Sequence, residues 1–203
     1  MPSAPTSDGV EIVDRATVFR GYFRIDRYTL RHKRFDGSWS ETFTREVFER
    51  GHAAAVLLYD PARDAVGLTE QFRMGAFAAG LHPWMVETVA GIVDAGESPE
   101  ATAAREVKEE AGVEPEAMVF MAELIASPGG ASETVRLYCA RFDSAHFGGV
   151  HGMAAEHEDI RAFALPAAEA MEWIADGRIR NATTVVALQW LALHKGELRE
   201  RWR

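Results

Sequence analysis

The sequence predicts an α/β fold: an α/β/α sandwich around a mixed sheet, preceded by a small antiparallel N-terminal β-sheet. Three observations carry that reading. Residues 10–50 hold only strand-like runs, residues 52–165 set short apolar runs around one sharply punctuated helix, and two helical segments finish the chain. The composition fits a packed chain, since 47% hydrophobic and 26% charged residues are ordinary for a globular protein of 203 residues.

Taken in order, residues 1–9 (MPSAPTSDG) read as a loose end. EIVDRATVF, GYFRIDRYTLRHKRF and SETFTREVFER alternate in polarity or are rich in β-branched and aromatic residues, and Asp36-Gly37 between two of them is a hairpin signal. We therefore divide the chain into an N-terminal sheet region, 1–50, and a main domain, 51–203. In the main domain AAAVLLYD is the continuous apolar run of a buried strand, and AVGLTEQF follows a turn at Pro61. MVETVA reads as one further strand, as do MVFMAELIAS, ETVRLYCARF and IRAFAL. Ser98 as N-cap, Pro99 at the first helical position and Gly112 as stop delimit a helix over 98–111. A second helix is expected from Pro166 to Gly177, and a third from Thr183 to His194 with Asn181 as its cap.

Composition also narrows the function classes. The net charge is −9, with no basic stripe, which argues against nucleic-acid binding because phosphate neutralisation dominates that affinity. No apolar run approaches the roughly 20 residues that span a bilayer. The N-terminus lacks the basic and apolar regions of a signal peptide. The single cysteine, Cys139, lies in the strand-like RLYCARF and reads as a buried, inert thiol. Together these features lead us to expect a cytoplasmic protein with no membrane partner.

The stretch GIVDAGESPEATAAREVKEEAGV, residues 91–113, carries the chemistry. On a helix, Glu106, Glu109 and Glu110 fall within one arc, with Val107, Ala111, Ala104 and Ala101 expected on the opposite, sheet-packing side. Like charges at these spacings destabilise a helix by a few tenths of a kcal/mol per pair, and a hard cation held by carboxylate oxygens is a natural compensation. A solvated acidic face with Arg105 paired to Glu109 would explain three glutamates alone. It does not explain Gly91, Glu97, Arg105, Glu106, Glu109, Glu110 and Gly112 together, with Val107 and Val113 between them. Seven fixed residues at roughly 6% usage each coincide by chance in about one in a million chains of this length. Gly91 and Gly112 stand where backbone must turn or approach closely. Arg105, always charged, can hold Glu97 and pin the loop to the helix. Glu106 and Glu110, one turn apart, can share metal ions that neutralise a diphosphate and make a water acidic enough to attack phosphorus.

These residues match every fixed position of the Nudix box, and the chain resembles the bacterial ADP-ribose pyrophosphatases of the Nudix superfamily over residues 10–195. LIASPGGASE, HGMAAEHEDIRAF and NATTVVALQWLALH carry the likeness beyond the box. The resemblance implies hydrolysis of ADP-ribose to AMP and ribose 5-phosphate, and a homodimer that exchanges its N-terminal sheets. It implies Mg2+ as cofactor, with Mn2+ as a substitute and two or three ions when substrate is bound. Metal ligands would be Glu106, Glu110, the carbonyl of Ala90 and Glu158. Glu156 of the late loop would be the general base, with Glu97, Arg105 and Glu109 completing the catalytic set. Tyr22, which stands where the family leads us to expect phenylalanine, would contact the adenosine end with Arg45. Arg73, Gly91, Ser127 and Glu133 would lie near the substrate.

The late loop supports part of this independently of the likeness. Met153–Asp159 is acidic and flanked by Gly148, Gly149 and Gly152, so it reads either as an ordinary solvated loop or as a hinged segment that closes a base over bound diphosphate. Two rivals stand beside ADP-ribose hydrolysis. One is another substrate, a GDP-mannose-like nucleoside diphosphate sugar or NADH; the other is a non-catalytic ADP-ribose sensor. A sensor would be expected to have lost box carboxylates and to carry a DNA-binding domain, and this chain keeps every box glutamate.

Overall fold

The computed structural model describes residues 8–202; the expected loose end therefore lies almost wholly outside the described residues. The chain falls into two compact units. One comprises the residues up to Gly51 together with Ser127–Glu133, and the other comprises His52–Ala126 and the chain from Thr134 onward.

In the first unit, β1 (Val10–Arg20), β2 (Arg24–His32) and β3 (Phe43–Glu49) form an antiparallel sheet in the order β1-β2-β3. The β2–β3 connection turns at Asp36-Gly37 as expected. Gly37 has φ +84°, its N–H donates to the Arg34 carbonyl, and Asp36 accepts from the Ser38 backbone. Ser127–Glu133 joins this unit by lying along β3. The Phe48 N–H donates to the Gly130 carbonyl at 2.8 Å, the Ser132 hydroxyl donates to Glu49 at 2.6 Å, and Arg50 pairs with Glu133 at 3.2 Å.

The second unit is the expected sandwich around a mixed sheet. Its strands are β4 (Ala53–Asp60), β5 (Ala65–Phe72), β6 (Trp84–Glu87), β7 (Val89–Ile92), β8 (Ala117–Ile125), β9 (Thr134–Arg141), β10 (Gly149–His151) and β11 (Ile160–Pro166). The main path is β10-β11-β5-β4-β9-β8, with β6 beside β5 and β7 beside β4; β4 and β9 run parallel and the remaining pairs antiparallel. Every residue of β4 is buried because alternate side chains enter two separate cores. Ala54, Val56 and Leu58 meet Ala103 and Val107 of α2 (Pro99–Ala111). Ala53, Ala55, Leu57 and Tyr59 meet Ala170 of α3 (Ala167–Ala175) and Ala187, Leu188 and Leu191 of α4 (Ala182–Arg201). A strand buried on both faces cannot alternate apolar with polar, so AAAVLLYD reads as a continuous run.

Two expectations need correction. MVETVA is not one strand. It hands over from β5 to β4 at Thr88, whose N–H leaves the ladder and donates to the Thr184 hydroxyl of α4 at 2.9 Å. The last helix runs to Arg201 rather than His194 because its extra turns are anchored. Leu198 is buried, and Lys195 and Arg199 both reach Asp64, at 2.9 and 3.1 Å. Its cap is Asn181, whose side chain accepts from the Thr184 N–H. A short helix α1 (Met74–Ala78), which buries none of its residues, was not foreseen. Cys139 is buried, and burial pushes its thiol well above the ordinary range.

Candidate active site

Helix α2 is built as its sequence dictates. The Ser98 hydroxyl accepts from the Ala101 N–H at 3.2 Å, Pro99 opens the helix, and Gly112 closes it at φ +68°. Gly112 is also a close approach: a Cβ there would lie 2.5 Å from the His151 ring. The buried arc is rotated from the expected one, however. Thr102, Ala103, Val107, Glu110 and Ala111 face inward, while Ala101 is exposed and Ala104 half-buried. The glutamates border the packed face instead of opposing it, so Glu110 is pressed into the sheet.

That placement sets the electrostatics. Glu110 is 2% exposed and accepts from the Ala90 N–H of β7 at 3.1 Å and from the Gln71 amide of β5 at 3.3 Å. Burial pushes its pKa up to about 8; the neighbouring Glu106 charge adds to the rise, and the Ala90 N–H, Arg73 and Gln71 only partly offset it. Glu106 is raised as well, first by burial and then by Glu109 and Glu158, with Arg105 opposing. A Cβ on Gly91 would lie 1.8 Å from a Glu106 carboxylate oxygen. A side chain at position 91 would have to displace that carboxylate from its place against β7.

Arg105 is the hub of the box. Its guanidinium donates to both Glu97 oxygens at 3.2 Å, to Glu106 at 2.8 Å and to Glu109 at 2.9 Å. Glu97 also accepts from the Thr102 hydroxyl at 2.7 Å. The Arg105 and Thr102 hydrogen bonds hold the Glu97 carboxyl below its ordinary range.

The late loop approaches the far end of α2. The Gly152 N–H donates to the Glu109 carbonyl, and Glu158 accepts from the Met153 N–H at 3.0 Å. Gly148, Gly149 and Gly152 all have positive φ, as does His157. Glu156 ends a 3-10 turn over Ala154–Glu156; its side chain lies outside what the structure describes. Arg73 is held by Glu87, whose buried carboxylate accepts from the Arg73 guanidinium at 2.8 Å and from the Asn181 amide at 2.7 Å.

The structure thus brings Glu97, Arg105, Glu106, Glu109, Glu110, Ala90 and Gly91 together in one unit. Tyr22, Arg45, Ser127 and Glu133 belong to the other, where Tyr22 is fully exposed. Gln71 and Glu87 were missed in the sequence. Their available signal was a polar residue inside an apolar strand run, which marks a buried group that needs a partner.

Glu110, buried and without a cation in contact among the described residues, beside a half-buried Glu106 held by Arg105, fits a divalent cation, since the charged form of a buried carboxylate is otherwise penalised. Among the described residues no three His, Cys, Asp or Glu side chains already converge as a metal group; Glu106 and Glu109 are turned to Arg105 instead.

Comparison with known proteins adds the lineage. Residues 38–195 match the NUDIX domain. The chain is 43% identical to an ADP-ribose pyrophosphatase of Escherichia coli K12 over 202 residues, covering 100% of this chain and 97% of that protein. It is 39% identical to the ADP-ribose pyrophosphatase of Haemophilus influenzae, covering 96% and 91%. It is 34% identical to a GDP-mannose pyrophosphatase of Klebsiella pneumoniae, covering 90% and 91%. A crystal structure described as an ADP compounds hydrolase superposes with a TM-score of 0.72 at 21% identity, over 97% of this chain and 100% of that one; at that identity the likeness is one of fold. An intact box on the expected loop and helix, a domain match over most of the chain and full-length relatives agree, and this chain belongs to the Nudix family.

Proposed function

We propose that the protein hydrolyses the diphosphate bond of ADP-ribose to AMP and ribose 5-phosphate with the help of Mg2+. The observation that carries the reading is Glu110, buried against Ala90 with no salt-bridge partner among the described residues, beside the half-buried Glu106 packed on Gly91. Relatives of that activity at 43% identity over the whole chain supply the substrate.

Glu106, Glu110, the Ala90 carbonyl and Glu158 would hold the metal, with Mn2+ able to substitute and two or three ions present with substrate. The metal supplies positive charge for the diphosphate and acidity for the attacking water. The chain's own residues do the rest. Arg105 holds the loop at Glu97 and the carboxylates of Glu106 and Glu109 in one arrangement. Glu87 aims Arg73 at the substrate. Glu156 takes the proton of the water as the late loop closes, so proton removal waits on substrate binding. Tyr22 and Arg45 take the adenosine end, with Ser127 and Glu133 beside them.

The N-terminal sheet supports a homodimer with exchanged sheets. All of β1 is exposed, including Val10, Ile12, Val13, Val18 and Phe19, an apolar stripe that a second copy would cover. None of the described helices is long and apolar enough to cross a membrane, and we place the enzyme in the cytoplasm. Incubation with Mg2+ and ADP-ribose should release AMP and ribose 5-phosphate in equal amounts, followed by phosphorus NMR. No turnover would sink the assignment. Faster turnover of GDP-mannose or NADH in the same screen would transfer it to that substrate.

A further inference from the structure

The face of the large sheet turned away from α2 carries a cavity of about 520 Å³ that plays no part in this chemistry. That volume lies within the range of small-molecule sites. Its lining includes Trp84, Trp173, Glu70 and three arginines, Arg161, Arg178 and Arg180. Three guanidinium groups around one opening oppose the −9 charge of the whole chain.

Each guanidinium is held in place. Arg161 donates to Glu70 at 2.9 Å and lies over Phe163, 5.1 Å from the ring centroid. Arg178 donates to Asp176 at 2.6 Å and lies over Trp173 at 4.3 Å. The Nε of Arg180 donates to the Gly177 carbonyl at 2.6 Å, and among the described residues no carboxylate pairs with it. Gly177, at φ +81°, makes this possible: a Cβ there would crowd the Arg180 guanidinium at 3.1 Å. Of the three, Arg180 is the one held by a backbone carbonyl and not by a carboxylate, and a guanidinium fixed in this way suits a phosphate group. Trp84 is 50% exposed, and its ring offers an aromatic surface for a base.

The cavity is distinct from the box carboxylates. Glu70 and Gln71 are consecutive on β5 and point to opposite faces of the sheet; Glu70 meets Arg161 at the cavity, while Gln71 meets Glu110. We infer that the cavity is a second ligand site that takes a nucleoside 5′-monophosphate, with the base against Trp84 and the phosphate on Arg180, with Arg178 beside it.

AMP is the probe, titrated into the full-length protein in EDTA and followed by tryptophan fluorescence and calorimetry. AMP should quench the fluorescence, and the R178E/R180E variant should bind it at least tenfold more weakly with an unchanged melting temperature. E110Q should bind AMP as the wild type does. R180Q alone, a milder change, should weaken binding in the same direction and keeps the test open if the double variant does not fold. AMP binding that survives R178E/R180E would place the nucleotide elsewhere, at the box if E110Q loses it, and overturn the inference, as would no binding at all. Inorganic phosphate binding as tightly as AMP would overturn the nucleoside part.

Discussion

The box helix and the late loop are both rich in carboxylates, yet they are held in opposite ways. In the box every key side chain has a partner: Glu97, Glu106 and Glu109 share Arg105, and Glu110 is wedged between Ala90 and Gln71. The late loop meets α2 through the Gly152 N–H on the Glu109 carbonyl, while its bonds from Glu158 to Met153 and from His157 to Ala154 stay within the loop, among residues of positive φ. A group that must present fixed charge belongs on the first kind of support. A group that must arrive with the substrate belongs on the second.

The largest effect that sharpens this contrast is expected at Glu156. E156Q should lower kcat by about 10²–10⁴-fold, the usual worth of a general base, with KM and metal affinity nearly unchanged in steady-state assays. If E158Q gives that pattern and E156Q does not, the base is Glu158. Next comes the box backbone. G91A would drive a methyl into Glu106 and should cost about 10–100-fold in kcat/KM, the range for disturbing the support of a metal ligand. Lysine at Arg105 keeps the charge but loses the fork, and R105K should cost roughly tenfold or more for the same reason. Equal activity in G91A and wild type would show that the close packing of Glu106 is incidental.

The smallest effect concerns stability. Hydrogen bonds from Arg105 and Thr102 depress the folded-state pKa of Glu97. Its contribution is therefore present above the unfolded value of about 4.3 and fades as pH falls through the folded one. E97Q should flatten the acid limb of the melting-temperature profile below pH ~4.5 and leave the neutral limb parallel to wild type. An unchanged acid limb would mean that the Glu97–Arg105 pair contributes nothing to folding.

Much of the box was legible because its signals are local. Ser98, Pro99 and Gly112 cap a helix by their own conformational preferences, and Asp36-Gly37 turns a hairpin for the same reason. The features that escaped depend on distant residues. Thr88 breaks a strand because Thr184 waits 96 positions away. Ser127–Glu133 joins β3 through Phe48 and Glu49, and no periodicity in a short Gly-rich loop announces that. The periodicity of α2 placed three glutamates in one arc but could not say how far that arc turns toward the sheet, which decides whether Glu110 is solvated or buried. Glu87 stood in plain view within MVETVA, but its partners Arg73 and Asn181 come from elements before and after it.

The central claim, a fixed metal platform in the box served by a base on the late loop, is tested most directly by Mn2+ binding. The measurement is an EPR titration of the wild type, E110Q and E156Q, with ADP-ribose turnover recorded on the same samples. E110Q should lose metal binding and turnover together, by more than the roughly 100-fold that disturbing a supporting residue costs. E156Q should bind Mn2+ as the wild type does and still fail to turn over. Metal binding retained in E110Q, or turnover retained in E156Q, would contradict the account.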